Sequence, residues 1–203
     1  MNGIVIMERP DTVSYEMLQD LLNRAHSTNE KKGLVYATAK QSAETLKKKA
    51  EADNGICYVA FNGSELVGTM TVSFRKLNYW YHNGNVAILK LLGVDSECRG
   101  KRVASLLLEK CLEAAKARGE TVIVADSAEN NDVFRKYILK YGFEIADYGL
   151  YAGNNFYTTV YVKWMNGCPY SAFYRRFRYN LKWMYIRFKY KPGKINRFTG
   201  KVG

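Results

Sequence analysis

A chain of 203 residues, 47% hydrophobic and 25% charged, suits one globular domain with an appendage or two very small domains, and is long enough to bury a core without staples. Its formal net charge of +12 favours anionic partners such as nucleotides, nucleic acid or acidic lipid. The four cysteines, Cys57, Cys98, Cys111 and Cys168, form no close pair, so neither a zinc site nor a redox CxxC is offered and no metal is expected.

No apolar run approaches the ~20 residues of a membrane span. The N-terminal segment carries Glu8 and Asp11 and lacks a long apolar stretch, so no leader peptide is expected. The chain reads as a reduced, cytoplasmic protein. The charge is unevenly spread: residues 166–203 hold ten Lys/Arg and no Asp or Glu, leaving 21 basic and 19 acidic residues in the first 165. The same stretch holds ten of the 28 aromatics. Asn166-Gly167-Cys168-Pro169 reads as a turn, which sets a boundary between residues 1–165 and a basic aromatic extension, 166–203.

Residues 11–26 are predicted helical from Met17, Leu18, Leu21 and Leu22, with Ser14 or Asp11 as cap. A polar loop, 27–39, and a basic helix, 41–52, come next. Residues 56–61 and 66–74 read as strands about a turn at Asn62-Gly63-Ser64. Residues 76–84, rich in Tyr, Trp, His and Asn, read as a connection, and 85–94 as a buried central strand. Residues 101–118 form the next predicted helix, its inner side holding Val103, Leu106, Leu107, Leu108, Cys111, Leu112 and Ala115, with Gly119 as its stop. A strand at 121–125, a short helix at 131–141 stopped by Gly142, and two last strands at 143–151 and 156–165 complete the domain. Alternating helices and strands give an α/β (α+β) class with one mixed central sheet flanked by helices.

The chemistry concentrates where the central strand runs through Leu92, Gly93, Val94 and Asp95 into a polar turn and then a helix whose first turn is small and basic. Amides at such a helix start, with the helix dipole behind them, attract an anion. Gly100 admits close backbone approach, and Arg99, Lys101 and Arg102 add positive charge, which suits a pyrophosphate. Neither GxxxxGK[ST] nor GxGxxG is present.

Arg99-Gly100-Lys101-Arg102-Val103-Ala104 resembles the Q/R-x-x-G-x-G/A pattern of motif A in the GNAT (Gcn5-related) N-acetyltransferases, with Arg102 in place of the middle glycine. Downstream, Asn131, Lys140, Gly142 and Phe143 align without gaps to motif B of that family, N-x-x-A-x-x-L-Y-x-K-x-G-F. The resemblance covers roughly residues 7–165. It implies an acyltransferase that uses acetyl-CoA as cosubstrate and acetylates an amine-bearing acceptor, a small molecule or an amino sugar being favoured. It also implies that backbone groups of Leu92 and Val94 pair with the pantetheine arm and that amides from Gly100 through Lys101, Arg102, Val103 and Ala104 to Ser105 hold the pyrophosphate. Asn131 would hydrogen-bond the pantetheine and Phe134 would pack near its end. A homodimer is a further implication.

Amine acetylation needs a base for the amine proton, often through water, and is helped by an acid for the departing thiolate. The family's usual acid, the motif B tyrosine, is replaced by Ile138. Tyr137 is the neighbouring candidate, though ~100° round the helix. Asp126, expected at the end of its strand, is the candidate base, with helix capping as its bland alternative, and Glu129 sits in the loop after it. His26 and His82 read as surface residues. The acceptor pocket would be lined by residues 27–39, 76–84 and 148–156.

Residues 169–190 are predicted helical, with Pro169 near the first turn. A wide apolar stripe holds Phe173, Phe177, Leu181, Met184, Tyr185 and Phe188, among others; a narrow one holds Tyr179, Trp183, Ile186 and Tyr190. The wide stripe is expected to pack on the domain or a partner chain. The narrow one is expected to meet an anionic membrane, which would make the protein peripheral at the inner membrane face. Residues 191–203 read as extended. Two other readings compete: a catalytically inactive, cofactor-binding module, as Ile138 suggests, and a nucleic-acid binder, which no accompanying motif supports.

Overall fold

The computed structural model describes residues 3–30, 41–98, 100–150 and 154–190. Its class is mixed α/β, with seven strands and five helices described, in two compact units. The first unit comprises Met1–Arg75 and Ala87–Gly119, the second Lys76–Val86 and Glu120–Gly203.

In the first unit, strands lie in the order β1 (Ile4–Glu8), β2 (Ile56–Asn62), β3 (Glu65–Tyr79), β4 (His82–Val94). β1, β2 and β3 are successively antiparallel. Helix α1 runs Tyr15–Glu30, later at both ends than the sequence predicts. Ser14, not Asp11, caps it: its Oγ accepts from the Met17 amide at 3.4 Å, while Pro10 holds a separate turn by accepting from the Val13 amide. Leu18, Leu21 and Leu22 are buried as expected, but Met17 faces solvent. Leu18 and Leu21 share a core cluster with Val13, Cys57, Val59 and Leu66. Helix α2 (Ala43–Glu51) starts at Ser42, whose side chain accepts from the Thr45 amide, and buries Leu46 and Ala50.

Helix α3 (Val103–Ala117) buries Val103, Leu107, Leu108, Cys111 and Ala115; Leu106 and Leu112 are half-buried. Gly119 takes φ +74, the left-handed conformation that ends a helix cheaply. The helix sits close to the sheet because Gly68 of β3 has no side chain. A Cβ there would lie 2.7 Å from Val103 Cγ1 and 3.1 Å from Leu107 Cδ1.

The expected connection at 76–84 is instead strand. β3 continues to Tyr79, β4 begins at His82, and only Trp80 and Tyr81 turn. The aromatic content that suggested a ligand loop is here strand-forming. Tyr79 stacks on Tyr81 with centroids 5.4 Å apart, and Trp80 meets Tyr81 edge-on.

In the second unit the strand order is β5 (Val122–Ala128), β7 (Thr158–Trp164), β6 (Glu144–Gly149), with both pairs antiparallel. β5 is three residues longer at its C-terminal end than predicted, so Asp126 lies within the strand, opposite Val160. Helix α4 (Asp132–Lys140) is capped by Asn131, whose Oδ1 accepts from the Phe134 amide at 3.1 Å, so Asp126 does not cap it. Gly142 takes φ +77 just beyond it.

Helix α5 (Ala172–Lys189) is capped by Ser171 rather than opened by Pro169. It packs on this unit with the two stripes exchanged relative to the sequence expectation. The narrow stripe faces inward: Ile186 is 4% exposed, and Tyr179 and Trp183 both pack on the buried Tyr148 of β6. Arg175 pairs with Glu144, Lys182 Nζ donates to Asp147 Oδ2 at 2.8 Å, and Tyr157 Oη donates to the Tyr190 carbonyl. The wide stripe packs at its start, where Tyr170 and Tyr174 meet Trp80; Phe173, Phe177, Leu181, Met184, Tyr185 and Phe188 lie in solvent. The expectations for 31–39, 151–153 and 191–203 fall outside the described residues.

Candidate active site

β4 leads to the candidate anion site. Leu91 takes φ +56, a left-handed conformation inside a strand, which breaks the two-residue alternation and re-aims the last residues of the strand. Among these, Leu92 and Val94 are half-buried and Gly93 is buried against α1. A Cβ at Gly93 would meet Leu22 Cδ2 at 2.7 Å and Ala25 Cβ at 3.3 Å, so glycine permits this contact.

Asp95 anchors the turn after β4. Its amide donates to the Val67 carbonyl at 2.9 Å, and its carboxylate accepts from Arg24 Nε at 3.0 Å and from the Glu97 amide at 3.2 Å. The Arg24 hydrogen bond, then the Glu97 amide, hold its carboxyl below the usual aspartate range, against a weak opposing effect of burial. A 3-10 turn, Ser96–Cys98, leads on, and the Cys98 carbonyl accepts from the Lys101 amide at 3.3 Å. Sequence reasoning misses this structural role of Asp95; the signal available is an acid placed just before a small-residue helix start.

Gly100 takes φ +80 with nothing within 4 Å of where a Cβ would stand. Arg102 takes φ +61 and ψ 13 and is the N-cap of α3 without a side-chain cap bond. The residue that departs from the motif A glycine therefore keeps a left-handed backbone that glycine adopts freely. Helices α2, α4 and α5 each have an N-cap Ser or Asn oxygen accepting a first-turn amide; the N-cap of α3, Arg102, makes no such bond, and no acidic residue lies in the first turn. Lys101 and Arg102 are exposed beside that turn, Ala104 and Ser105 are half-buried within it, and Val103 is buried beneath it. Amides aimed along the dipole, small side chains and two cations fit a phosphate group. Arg99 lies outside the described residues.

In the second unit, Asn131 engages both ends of its amide: Oδ1 caps α4, and Nδ2 donates to Ser127 Oγ at 3.1 Å. Phe134 is half-buried, its ring 5.7 Å from Tyr161 and 6.2 Å from Tyr137. Tyr137, also half-buried, lies between Phe134 and Tyr141, the latter 5.3 Å away. Ile138 points into the core, 1% exposed. Asp126 is exposed on β5.

Glu129 is committed elsewhere. Its carboxylate accepts from Trp183 Nε1 at 2.9 Å, Arg187 Nη2 at 2.6 Å and Tyr148 Oη at 3.0 Å. Burial alone would raise its pKa, but these three hydrogen bonds outweigh it and hold the carboxyl below the ordinary glutamate value. Burial in turn pushes the Tyr148 hydroxyl upward. This cluster fixes α5 and commits three of the carboxylate's roughly four lone-pair positions to structure, both of those on Oε2 among them. Among the described residues, no group of three or more His, Cys, Asp or Glu is placed to hold a metal ion.

The model of the Acetyltransferase (GNAT) family matches residues 15–143. No curated protein matches the chain. Among solved structures, an acetyltransferase from Streptococcus agalactiae superposes with a TM-score of 0.62 at 20% identity, covering 81% of this chain and 99% of that one. Arabidopsis thaliana NAA60, held with a bisubstrate analogue, gives 0.62 at 14% identity over 80% and 99%. A GNAT family acetyltransferase from Elizabethkingia anophelis with acetyl-CoA bound gives 0.57 at 15% identity over 81% and 99%. At these identities the likeness concerns the fold, and it is the fold described above. The family match spans well over half of the chain and takes in the Gly100–Ser105 turn and the Asn131-capped helix together: the chain belongs to the GNAT acetyltransferase family, a family of acyltransferases.

Proposed function

We propose that this protein transfers an acetyl group from acetyl-CoA to a primary amine, on a small molecule or an amino sugar. The observation that carries the reading is the start of α3. There, Gly100 and Arg102 hold a left-handed turn, the Arg102 side chain makes no cap bond, and Lys101 and Arg102 stand exposed beside the first turn.

Acetyl-CoA, when bound, supplies the acetyl thioester. Amides of Arg102, Val103 and Ser105 would bind the pyrophosphate, the Lys101 amide being given to the Cys98 carbonyl, with Gly100 admitting close approach and Arg99 and Lys101 supplying positive charge. Leu92 and Val94, next along the strand from the left-handed Leu91, would offer backbone groups to the pantetheine arm. Asn131 has its Oδ1 and Nδ2 in use, so its part is first to fix the start of α4 and the Phe134 amide. Phe134 would add an apolar surface.

For proton handling the chain offers Asp126, exposed on β5, as a base acting through water. Tyr137 is the candidate acid. Ile138 is core, so the hydroxyl that the family usually places there has to come from elsewhere or be dispensed with. Thiolate departure without a protein acid is chemically accessible, because a thiol is far more acidic than an alcohol.

Calorimetric titration with acetyl-CoA, of the wild type and of an Arg99→Glu/Lys101→Glu variant, tests the cosubstrate. Binding that the variant weakens at least ~100-fold is expected, from two reversed charges beside a pyrophosphate. Thiol release with a panel of amines then tests transfer. A folded wild type that binds no acetyl-CoA overturns the reading.

A further inference from the structure

Helix α5 is fastened inward by charge and left apolar outward. Arg175, Lys182 and Arg187 are neutralised by Glu144, Asp147 and Glu129. On the other side, Phe173, Phe177, Leu181, Met184, Tyr185 and Phe188 are all exposed, Phe173 at 81% and Phe188 at 96%. At ~100° per residue these six fall within about 120° of the helix circumference, so they form one continuous face. An exposed aromatic strip of this kind marks an interaction surface.

The borders of that face are cationic. Arg176 lies exposed along one edge and Lys189 along the other, where Arg178 is half-buried with its guanidinium 5.5 Å from the Trp80 ring centroid. Lys189 Nζ donates to Tyr185 Oη at 3.0 Å and stands over the Tyr185 and Tyr190 rings, so its charge is held at the rim of the apolar face. The helix contains no Asp or Glu, and neither does any position from 166 to 203. Among the described residues, the acids paired with α5 are Glu129, Glu144 and Asp147, and no acid is paired with Arg176 or Lys189.

We propose that this face of α5 lies in the interfacial layer of an anionic lipid membrane and holds the protein at the membrane surface. Phe, Leu and Met side chains enter the acyl boundary, Tyr185 sits at headgroup level, and Arg176 and Lys189 meet lipid phosphates. Charge decides against a second copy as the occupant: face-to-face pairing of two α5 helices sets the cationic rim of each against the other, with no acid to relieve it. Six basic residues in 18 exclude a spanning role for the helix itself, and among the described residues no helix is long and apolar enough to cross a membrane.

The test is co-sedimentation of the full chain with vesicles of phosphatidylcholine alone and with about 30% phosphatidylglycerol added. It is repeated with Phe177→Glu/Phe188→Glu and with Arg176→Ala/Lys189→Ala. All four side chains are exposed, so circular dichroism and thermal midpoints should match the wild type. The expected result is at least tenfold preference for anionic vesicles, lost about tenfold or more in the Phe double variant and several-fold in the cation variant. Wild type that stays in the supernatant with both vesicles overturns the proposal, as does binding that the Phe double variant retains. So does light scattering that shows a wild-type dimer, monomeric in the Phe double variant, without vesicle binding; the face then belongs to a second copy.

Discussion

Removing the Glu129 carboxylate should loosen α5 while leaving the sheet beneath it intact. In Glu129→Ala, the Trp183 indole N–H and the Tyr148 hydroxyl lose their acceptor, and both sit against the inward stripe of the helix. A buried donor left without a partner costs about 1–3 kcal/mol, so the two together cost about 3 kcal/mol. Arg187, whose side chain is 42% exposed, can turn to water and adds little. Glu129→Gln keeps an acceptor oxygen and loses the charge, for a cost of about 1 kcal/mol.

Urea unfolding followed by Trp fluorescence gives the totals, and amide exchange over 172–189 shows whether the loss is local to the helix. The folded carboxyl ionises below its unfolded value of about 4.3, so its contribution is complete above that value. It fades as pH falls through the lower folded value, and the gap between wild type and Glu129→Ala should close in acid. If both variants stay within about 0.5 kcal/mol of wild type at neutral pH, the cluster does not hold the helix.

Two further outcomes concern the anion site. Gly68→Ala forces a methyl group against Val103 Cγ1 and Leu107 Cδ1, both fully buried and unable to turn aside. It should cost about 1–3 kcal/mol in urea unfolding and weaken acetyl-CoA binding in calorimetry, because Val103 opens the helix that bears the candidate phosphate site. Arg102→Gly relieves a left-handed residue that costs a side chain about 1 kcal/mol. The net gain should be about 0.5 kcal/mol once glycine's greater freedom in the unfolded chain is deducted, and a fall in the urea midpoint would refute the strain argument.

The parts legible in the sequence were those set by local rules. Helix α3 followed from its apolar period and α4 from its stop at Gly142, and the left-handed turn ahead of α3 coincides with the small and basic residues singled out there. The hairpin at Trp80 and Tyr81 was hidden because its Lys, Asn and His residues resemble loop composition, while its pairing partner lies across the turn rather than in the local pattern. The exchange of stripes on α5 had the same origin. Stripe width measures how much apolar surface a helix has, not which side meets the sheet. That side was chosen by Glu129, Glu144 and Asp147, which match Arg187, Arg175 and Lys182 beside the narrow stripe. Glu144 and Asp147, three apart, would face opposite sides of a regular strand; the register slip between Ile145 and Asp147 intervenes, both meet the helix, and that slip is not written in the local pattern. Tyr137 and Asp126 illustrate the opposite limit: their positions follow from helix and strand register, but a proton-transfer role depends on substrate geometry that register does not encode.

The ladder between β6 and β7 slips between Ile145 and Asp147, so Ala146 has no partner, and β6 is the outermost strand on its side of the order. An outermost strand with regular spacing invites a stranger's backbone to extend the sheet. The extra residue spoils the spacing of free amides and carbonyls along that rim and adds twist. One unpaired residue thus makes this rim a poorer template for another strand.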